Sequence, residues 1–208
     1  REILRHGKKD ENHLSCTIAL YLYGRSFFLT DKPIAPQHKE AVDYFLGQAK
    51  KYWLQLAVRQ SQAQLAIALK RFGDKETPMG ILASIKERSV SNEELGMFWR
   101  DLEFSYFWFR APIETQAVMI EAFDEVVSDA SAVEDCKVWL LKQKQTQDWK
   151  TPKATADAIY GLLLRGRNLL ASDKLVEVSA GGMKLTPRLP GGGPQLETRN
   201  SKLETAVE

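Results

Sequence analysis

Apolar residues recur at helical spacing along most of this chain, most regularly over residues 111–166. Ile113, Ala117, Ile120, Phe123 and Val127 fall three to four positions apart and line one face of a helix. Ser131 and Glu134 have the spacing of a capping box, which predicts a second helix from there. Thr151 then stands at an N-cap with Pro152 at the first helical position, where a missing N–H costs nothing. Thr155, Ile159, Leu162 and Leu163 form the stripe of that third helix, and Gly166 is its candidate C-terminal cap.

The same kind of Ala-rich phrase recurs at residues 16–24, 62–73, 113–126 and 153–166. Its period of roughly 40 to 50 residues points to stacked helical hairpins, which an αα-toroid and an α-solenoid both satisfy. Small residues on a stripe let helices approach closely. The helices holding Ala19, Ala66, Ala117 and Ala156 are therefore expected in one inner layer, roughly parallel, with their partner helices outside.

The remaining segments read similarly. Leu14, Ile18, Tyr21 and Phe28 predict a helix within residues 11–29, ended by the prolines Pro33 and Pro36. Ala41, Phe45, Ala49, Tyr52 or Trp53, and Leu56 predict a long helix or two in tandem. Thr77-Pro78 repeats the cap-then-proline start, with Ile81, Leu82, Ile85 and Ser89 as the next face. Ser91 and Glu94 suggest a second capping box, opening a short helix that reaches Trp99. Beyond Gly166 the pattern changes. Residues 175–179 alternate as a half-buried strand does, Gly181-Gly182 marks a turn, and residues 183–186 are the expected partner strand. A boundary near Ser172 follows, with a helical domain over residues 1–171 and a β segment over 172–208.

Composition narrows the function classes. The 208 residues suffice for one domain with a real core, and 44% hydrophobic with 27% charged content is ordinary for a globular protein. A net charge of +2 does not argue for nucleic acid or an anionic membrane surface as partner, and no nucleic acid is expected. No apolar run reaches the ~18 residues of a membrane span. The first residues lack the apolar core of a signal peptide and there is no initiator Met, so the chain reads as a segment of a longer protein. Cys16 and Cys136 are too few for a disulfide framework and read as buried thiols.

The order Ile113-Glu-Thr-Gln-Ala117, Trp139-Leu140, Trp149-Lys-Thr and Ala154-Thr-Ala-Asp-Ala158 resembles the later half of a known helical domain. That domain is the thioester domain of the alpha-2-macroglobulin and complement family. The match is closer to the bacterial members, whose pattern Gly96-Met-Phe-Trp99 also resembles. The similarity covers residues 11–170 and strengthens toward its C-terminal end. Gln147-Asp148 stands where many relatives have Gly-Gly, and Thr151-Pro152 where many have Thr-Gln.

The resemblance implies an all-α fold, αα-hairpins forming most of an α/α toroid, followed by a short β segment that begins a following β domain. It implies a non-catalytic helical domain of a bacterial protease-trapping inhibitor of the cell envelope, periplasmic or extracellular. Its partners would be proteases, met through the parent protein, and neighbouring β domains of the same chain. The family's thioester joins a Cys to a Gln three positions on. Neither Cys16 nor Cys136 has that Gln, so no thioester is expected in this chain. A toroid lacking its early hairpins would leave edge stripes such as Leu14, Ile18 and Tyr21 uncovered, so the chain is expected to self-associate or to rearrange over them.

The residues themselves offer other chemistry. Residues 98–109 crowd seven aromatics near Asp101, Glu103 and Glu114, as a glycan-cleaving α/α enzyme would require. The competing reading has these rings, Trp108 and Phe109 among them, plugging the end of the helical layer. A terpenoid-type α/α enzyme and a helical-repeat scaffold share the architecture. His6, His13 and His38 are scattered and no Cys pair has ligand spacing, so no metal is expected. Gly191-Gly-Gly193 precedes no helix and has proline on both sides, so no phosphate loop and no cofactor are expected. Lys and Arg alternate with Asp and Glu as on solvated faces, and no catalytic residue is assigned.

Overall fold

A computed structural model of the chain describes residues 8–100, 111–146, 149, 151–164, 178–180 and 183–185. The chain divides into two compact units, Arg1–Asn168 and Leu169–Glu208. The first is mostly helical. Its helices are α1 (Cys16–Ser26), α2 (Pro36–Tyr52), α3 (Arg59–Arg71), α4 (Glu76–Glu87), α5 (Pro112–Ala122), α6 (Ala130–Thr146) and α7 (Pro152–Leu164). A 3-10 turn over Trp53–Gln55 follows α2, and a wider π turn over Phe123–Val127 extends α5. A short antiparallel hairpin, β1 (Val90–Asn92) with β2 (Gly96–Phe98), lies between α4 and α5.

Helices alternate in their neighbours. α3 packs against α1 on one side and α5 on another, and α5 packs in turn against α7. α4 lies on α3, whereas α6 lies on α5 and on β2. Burial follows from this arrangement. Every residue from Gln60 to Leu69 of α3 and from Glu114 to Ala122 of α5 is buried, so these two helices are enclosed around their circumference. Their small residues Ala63, Ala66, Ala68, Ala117 and Ala122 permit that enclosure, because each presents little bulk to a neighbouring helix. Ala19 of α1 and Ala158 of α7 are fully buried as well. Ala156 is exposed, so the packing residues of α7 are its neighbours Ala154 and Ala158.

The stripes of the outermost helices are rotated from those the spacing suggests. On α7, Thr155, Ile159 and Leu163 face outward and Leu162 is half-buried, while Ala154, Ala158 and Gly161 are buried. A Cβ at Gly161 would meet Ala117 Cα and Ile120 Cδ1, both at 3.4 Å. Close approach of α5 and α7 therefore selects the small stripe over the bulky one. On α1 the buried positions are Ala19, Leu22 and Ser26, with Tyr21 and Phe28 exposed. Leu14 is covered, so the uncovered stripe expected at Leu14, Ile18 and Tyr21 does not exist as such.

Helix starts also differ from the expected ones in two places. Asp74, not Thr77, caps α4: its Oδ1 accepts from the amides of Glu76 and Thr77, and its Oδ2 from the Thr77 hydroxyl. Asp129, not Ser131, caps α6, accepting the Ala132 amide at 3.1 Å. In both cases an acidic residue upstream outcompetes the hydroxyl, since a carboxylate is the stronger acceptor beside orphan amides. Thr151 caps α7 as expected, accepting the Ala154 amide at 3.0 Å, with Pro152 first in the helix. Ser15 caps α1 in the same way, accepting from Ile18.

The helix expected from Ser91 to Trp99 is the hairpin β1–β2 instead, with Val90 opposite Phe98 and Asn92 opposite Gly96. Asn92 Oδ1 accepts from the amides of Glu94 and Leu95, which closes a turn rather than starting a helix. Gly96 sits at φ +74°, and a Cβ there would lie 2.1 Å from the Asp135 carbonyl oxygen of α6. Only glycine fits both demands.

In the second unit Val178–Ala180 (β3) and Met183–Leu185 (β4) pair antiparallel, with Val178 opposite Leu185 and Ala180 opposite Met183. Fold class is thus mostly helical with short two-stranded sheets.

Candidate functional site

Among the described residues, two of the places where polar side chains converge lie on the helices α1, α3, α5 and α7. The first is an ion cluster centred on Arg71, in the last turn of α3. Its Nε donates to Glu125 Oε1 at 2.7 Å and its Nη2 to Glu125 Oε2 at 2.6 Å, a fork-on-carboxylate pair. The same Nη2 donates to Glu121 Oε1 at 2.8 Å, and Nη1 donates to Ser26 Oγ at 3.2 Å. Its guanidinium also lies 4.1 Å from the Phe27 ring centroid. Tyr23 completes the cluster by donating its hydroxyl to Glu121 Oε2 at 2.6 Å. Burial and the adjacent Glu121 carboxylate push the Tyr23 phenol far above its ordinary range, so it acts as a fixed donor. Burial would lower the Arg71 pKa, but Glu125 and then Glu121 outweigh it and hold the guanidinium charged.

The second place is a cleft of about 180 Å³ bounded by all four of these helices. Gln60 and Gln64 enter it from successive turns of α3, and Glu114 from the first turn of α5. Asp157 and Lys153 of α7 form a 2.5 Å ion pair beside it. Leu20 and Val118 supply apolar wall. Gln60, Gln64 and Glu114 are each more than nine-tenths buried. A polar cleft this small suits one functional group of a ligand rather than a whole drug-sized molecule.

Among the candidates read from sequence, Glu114 belongs to this cleft. Asp101, Glu103, Trp108 and Phe109 lie outside the described residues, as do His6 and Gly166. Trp99 belongs to the core. It is buried, stacks on Phe123 with centroids 6.3 Å apart, and donates its Nε1–H to the Ile85 carbonyl at 2.9 Å. Trp149 similarly donates to the Leu140 carbonyl and carries Lys144 over its ring. Gln116 ties the hairpin to the helices, donating to the Met97 carbonyl at 2.6 Å and the Cys136 carbonyl at 3.2 Å.

Cys136 is fully buried and burial pushes its thiol well above the usual range, so it is a poor nucleophile; Cys16 is partly exposed, and both thiols are free. His13 pairs with the Tyr44 hydroxyl through Nδ1 at 2.5 Å, and His38 is exposed at the start of α2. Among the described residues no group of three His, Cys, Asp or Glu could hold a metal ion, and no helix is long and apolar enough to cross a membrane.

Sequence reasoning missed Gln60, Gln64, Asp157 and Arg71 as site residues. A run of polar residues on an otherwise apolar Ala-rich phrase, Gln60-Ser-Gln-Ala-Gln64, was the available signal for the first two. Comparisons with family models, with curated proteins and with solved structures gave no match to this chain.

Proposed function

We propose that this chain is the later part of a non-catalytic α/α-toroid helical domain in a protease-trapping inhibitor of the alpha-2-macroglobulin type, working in a bacterial cell envelope. Its partners on this reading are proteases, met through the parent protein, and β domains of the same polypeptide. It uses no nucleic acid, metal or cofactor.

The observation that supports the reading most is the packing order, in which α1, α3, α5 and α7 are successive neighbours while α4 and α6 pack on α3 and α5. A toroid needs that alternation of hairpin arms, although a helical-repeat scaffold shares it. Further support comes from part of the residues that carry the resemblance, while Thr151, Thr155 and Ala156 of the same motifs are exposed. Thr115, Gln116, Ala117, Leu140, Trp149, Ala154 and Ala158 are all buried and hold helices together rather than face solvent. A domain that moves as a body during trapping needs such a rigid interior. Arg71 and its carboxylates serve the same purpose by joining α1, α3 and the end of α5.

The test is small-angle scattering of the intact parent protein before and after cleavage by a broad-specificity protease. Compaction on cleavage is expected, and an unchanged radius of gyration would refute the reading. Hydrolysis of a polysaccharide by this chain, lost on Glu114→Gln, would replace it with the enzyme reading.

A further inference from the structure

The cleft between α1, α3, α5 and α7 is lined by a carboxylate that nothing pairs. Glu114 is 8% exposed, yet among the described residues its carboxylate has no hydrogen-bond or ion-pair partner. Gln60 is 4% exposed, and its Oε1 is buried with no donor. Gln64, one turn along α3, lines the same space. The remaining charges nearby are already matched: Lys153 by Asp157, and Glu121 by Arg71 and Tyr23. The Glu114 carboxylate therefore lines a small cavity without a partner, and the unpaired Gln60 oxygen lies sealed in the wall beside it. Burying such groups without partners is costly, and native proteins rarely do so unless something else supplies the donors.

We propose that this cleft is a binding site for a primary alkylammonium group. The charge fits. An ammonium carries one positive charge and three N–H donors, which the unpaired Glu114 carboxylate can balance and accept, with the Gln60 and Gln64 side chains lining the same space. The walls fit as well, since Leu20, Ala117 and Val118 give an apolar lining for a methylene stem. A cavity of about 180 Å³ holds a short alkylamine or the end of one lysine side chain. A divalent metal ion fits poorly, because one unpaired carboxylate with amide oxygens supplies too little charge and too few ligands. The proposal stands apart from the protease-trap reading.

The experiment is a nuclear magnetic resonance titration of the full chain with n-butylammonium chloride at constant ionic strength. n-Butanol serves as the neutral isostere and acetyl-Gly-Lys-Gly-amide as the peptide-borne amine. Saturable shifts are expected at amides around Gln60, Gln64 and Glu114 with butylammonium, and none with butanol. Glu114→Gln, which keeps the shape, should weaken binding at least tenfold, and Gln60→Met severalfold. Saturation by the peptide as well would assign the site to a lysine side chain; saturation by butylammonium alone would assign it to a small free amine. Non-saturable shifts, equal shifts with butanol, or unchanged affinity in both variants would overturn the proposal. Thermal melts of the variants verify that each is folded.

Discussion

Replacing Arg71 with Met should cost more stability than any other single ion-pair change among the described residues. Arg71 has a side chain only 15% exposed, and Glu121 below it only 2% exposed. The methionine would keep much of the apolar stem and its packing on Phe27, so the loss isolates the guanidinium. Exposed pairs such as Lys8–Glu11, at 84% and 60% exposure, contribute between zero and about 1 kcal/mol. Breaking a buried pair leaves an uncompensated charge and costs about 3–5 kcal/mol. The Glu125 side of the cluster is 20% exposed, so water can partly replace the cation there. About 3 kcal/mol is the expected loss, a drop of roughly 6–12 °C in Tm for a domain of this size. Urea unfolding followed by far-ultraviolet circular dichroism measures it, provided the m-value is unchanged. Adding Glu121→Gln to Arg71→Met should recover part of the loss, because the stranded charge goes too. A non-additivity of at least about 1 kcal/mol is expected. A loss below about 1 kcal/mol for Arg71→Met, or strict additivity in the double variant, would refute the view that this cluster fastens α1 and α5 to α3.

Three further outcomes are expected. Gly96→Ala should destabilise by about 2–4 kcal/mol, from positive φ and collision with the Asp135 carbonyl. Gly73→Ala, at φ +94° but in open space, should cost only about 1 kcal/mol, and equal losses in parallel melts would contradict the close hairpin contact. The Lys86 ammonium, and then the Ala132 amide, hold the Asp129 carboxyl below its ordinary value. A depressed carboxyl stabilises above its unfolded pKa and loses that contribution as pH falls through its folded one. The stability gap between wild type and Asp129→Asn should therefore shrink as pH falls below about 4, and a gap unchanged down to pH 2 would count against the pairing. Sedimentation of the isolated chain should show concentration-dependent dimer, reduced by Ile159→Lys, because Ile159 and Leu163 of α7 are nearly half exposed. A strict monomer at all concentrations would exclude self-association.

The helices were legible wherever spacing and small residues agreed. The enclosed helices α3 and α5 carry Ala-rich phrases, and Thr151-Pro152 marks a true helix start. Elsewhere a local rule matched the wrong residue. Ser91 and Glu94 satisfy the capping-box spacing, but Asn92 and Gly96 between and beside them form a turn that only a hairpin can use. On α7, periodicity favours Ile159 and Leu163 because they are large. Tertiary packing chose Ala154, Ala158 and Gly161 because they are small, and spacing carries no information on how near the next helix comes. The cleft was almost invisible. Glu114 reads in the sequence as one acid among several, whereas Gln60, Gln64 and Asp157 belong to no motif and meet only because α3, α5 and α7 lie side by side.

On the function proposed above, the parent protein encloses proteases rather than blocking their active sites. The most direct measurement mixes the intact parent with a cleaving protease, then assays the protease on a small chromogenic peptide and on a large protein substrate. The account predicts retained activity on the peptide and loss of activity on the protein, with the protease co-eluting with the inhibitor by size. Equal activity on both substrates, or equal loss on both, would contradict it.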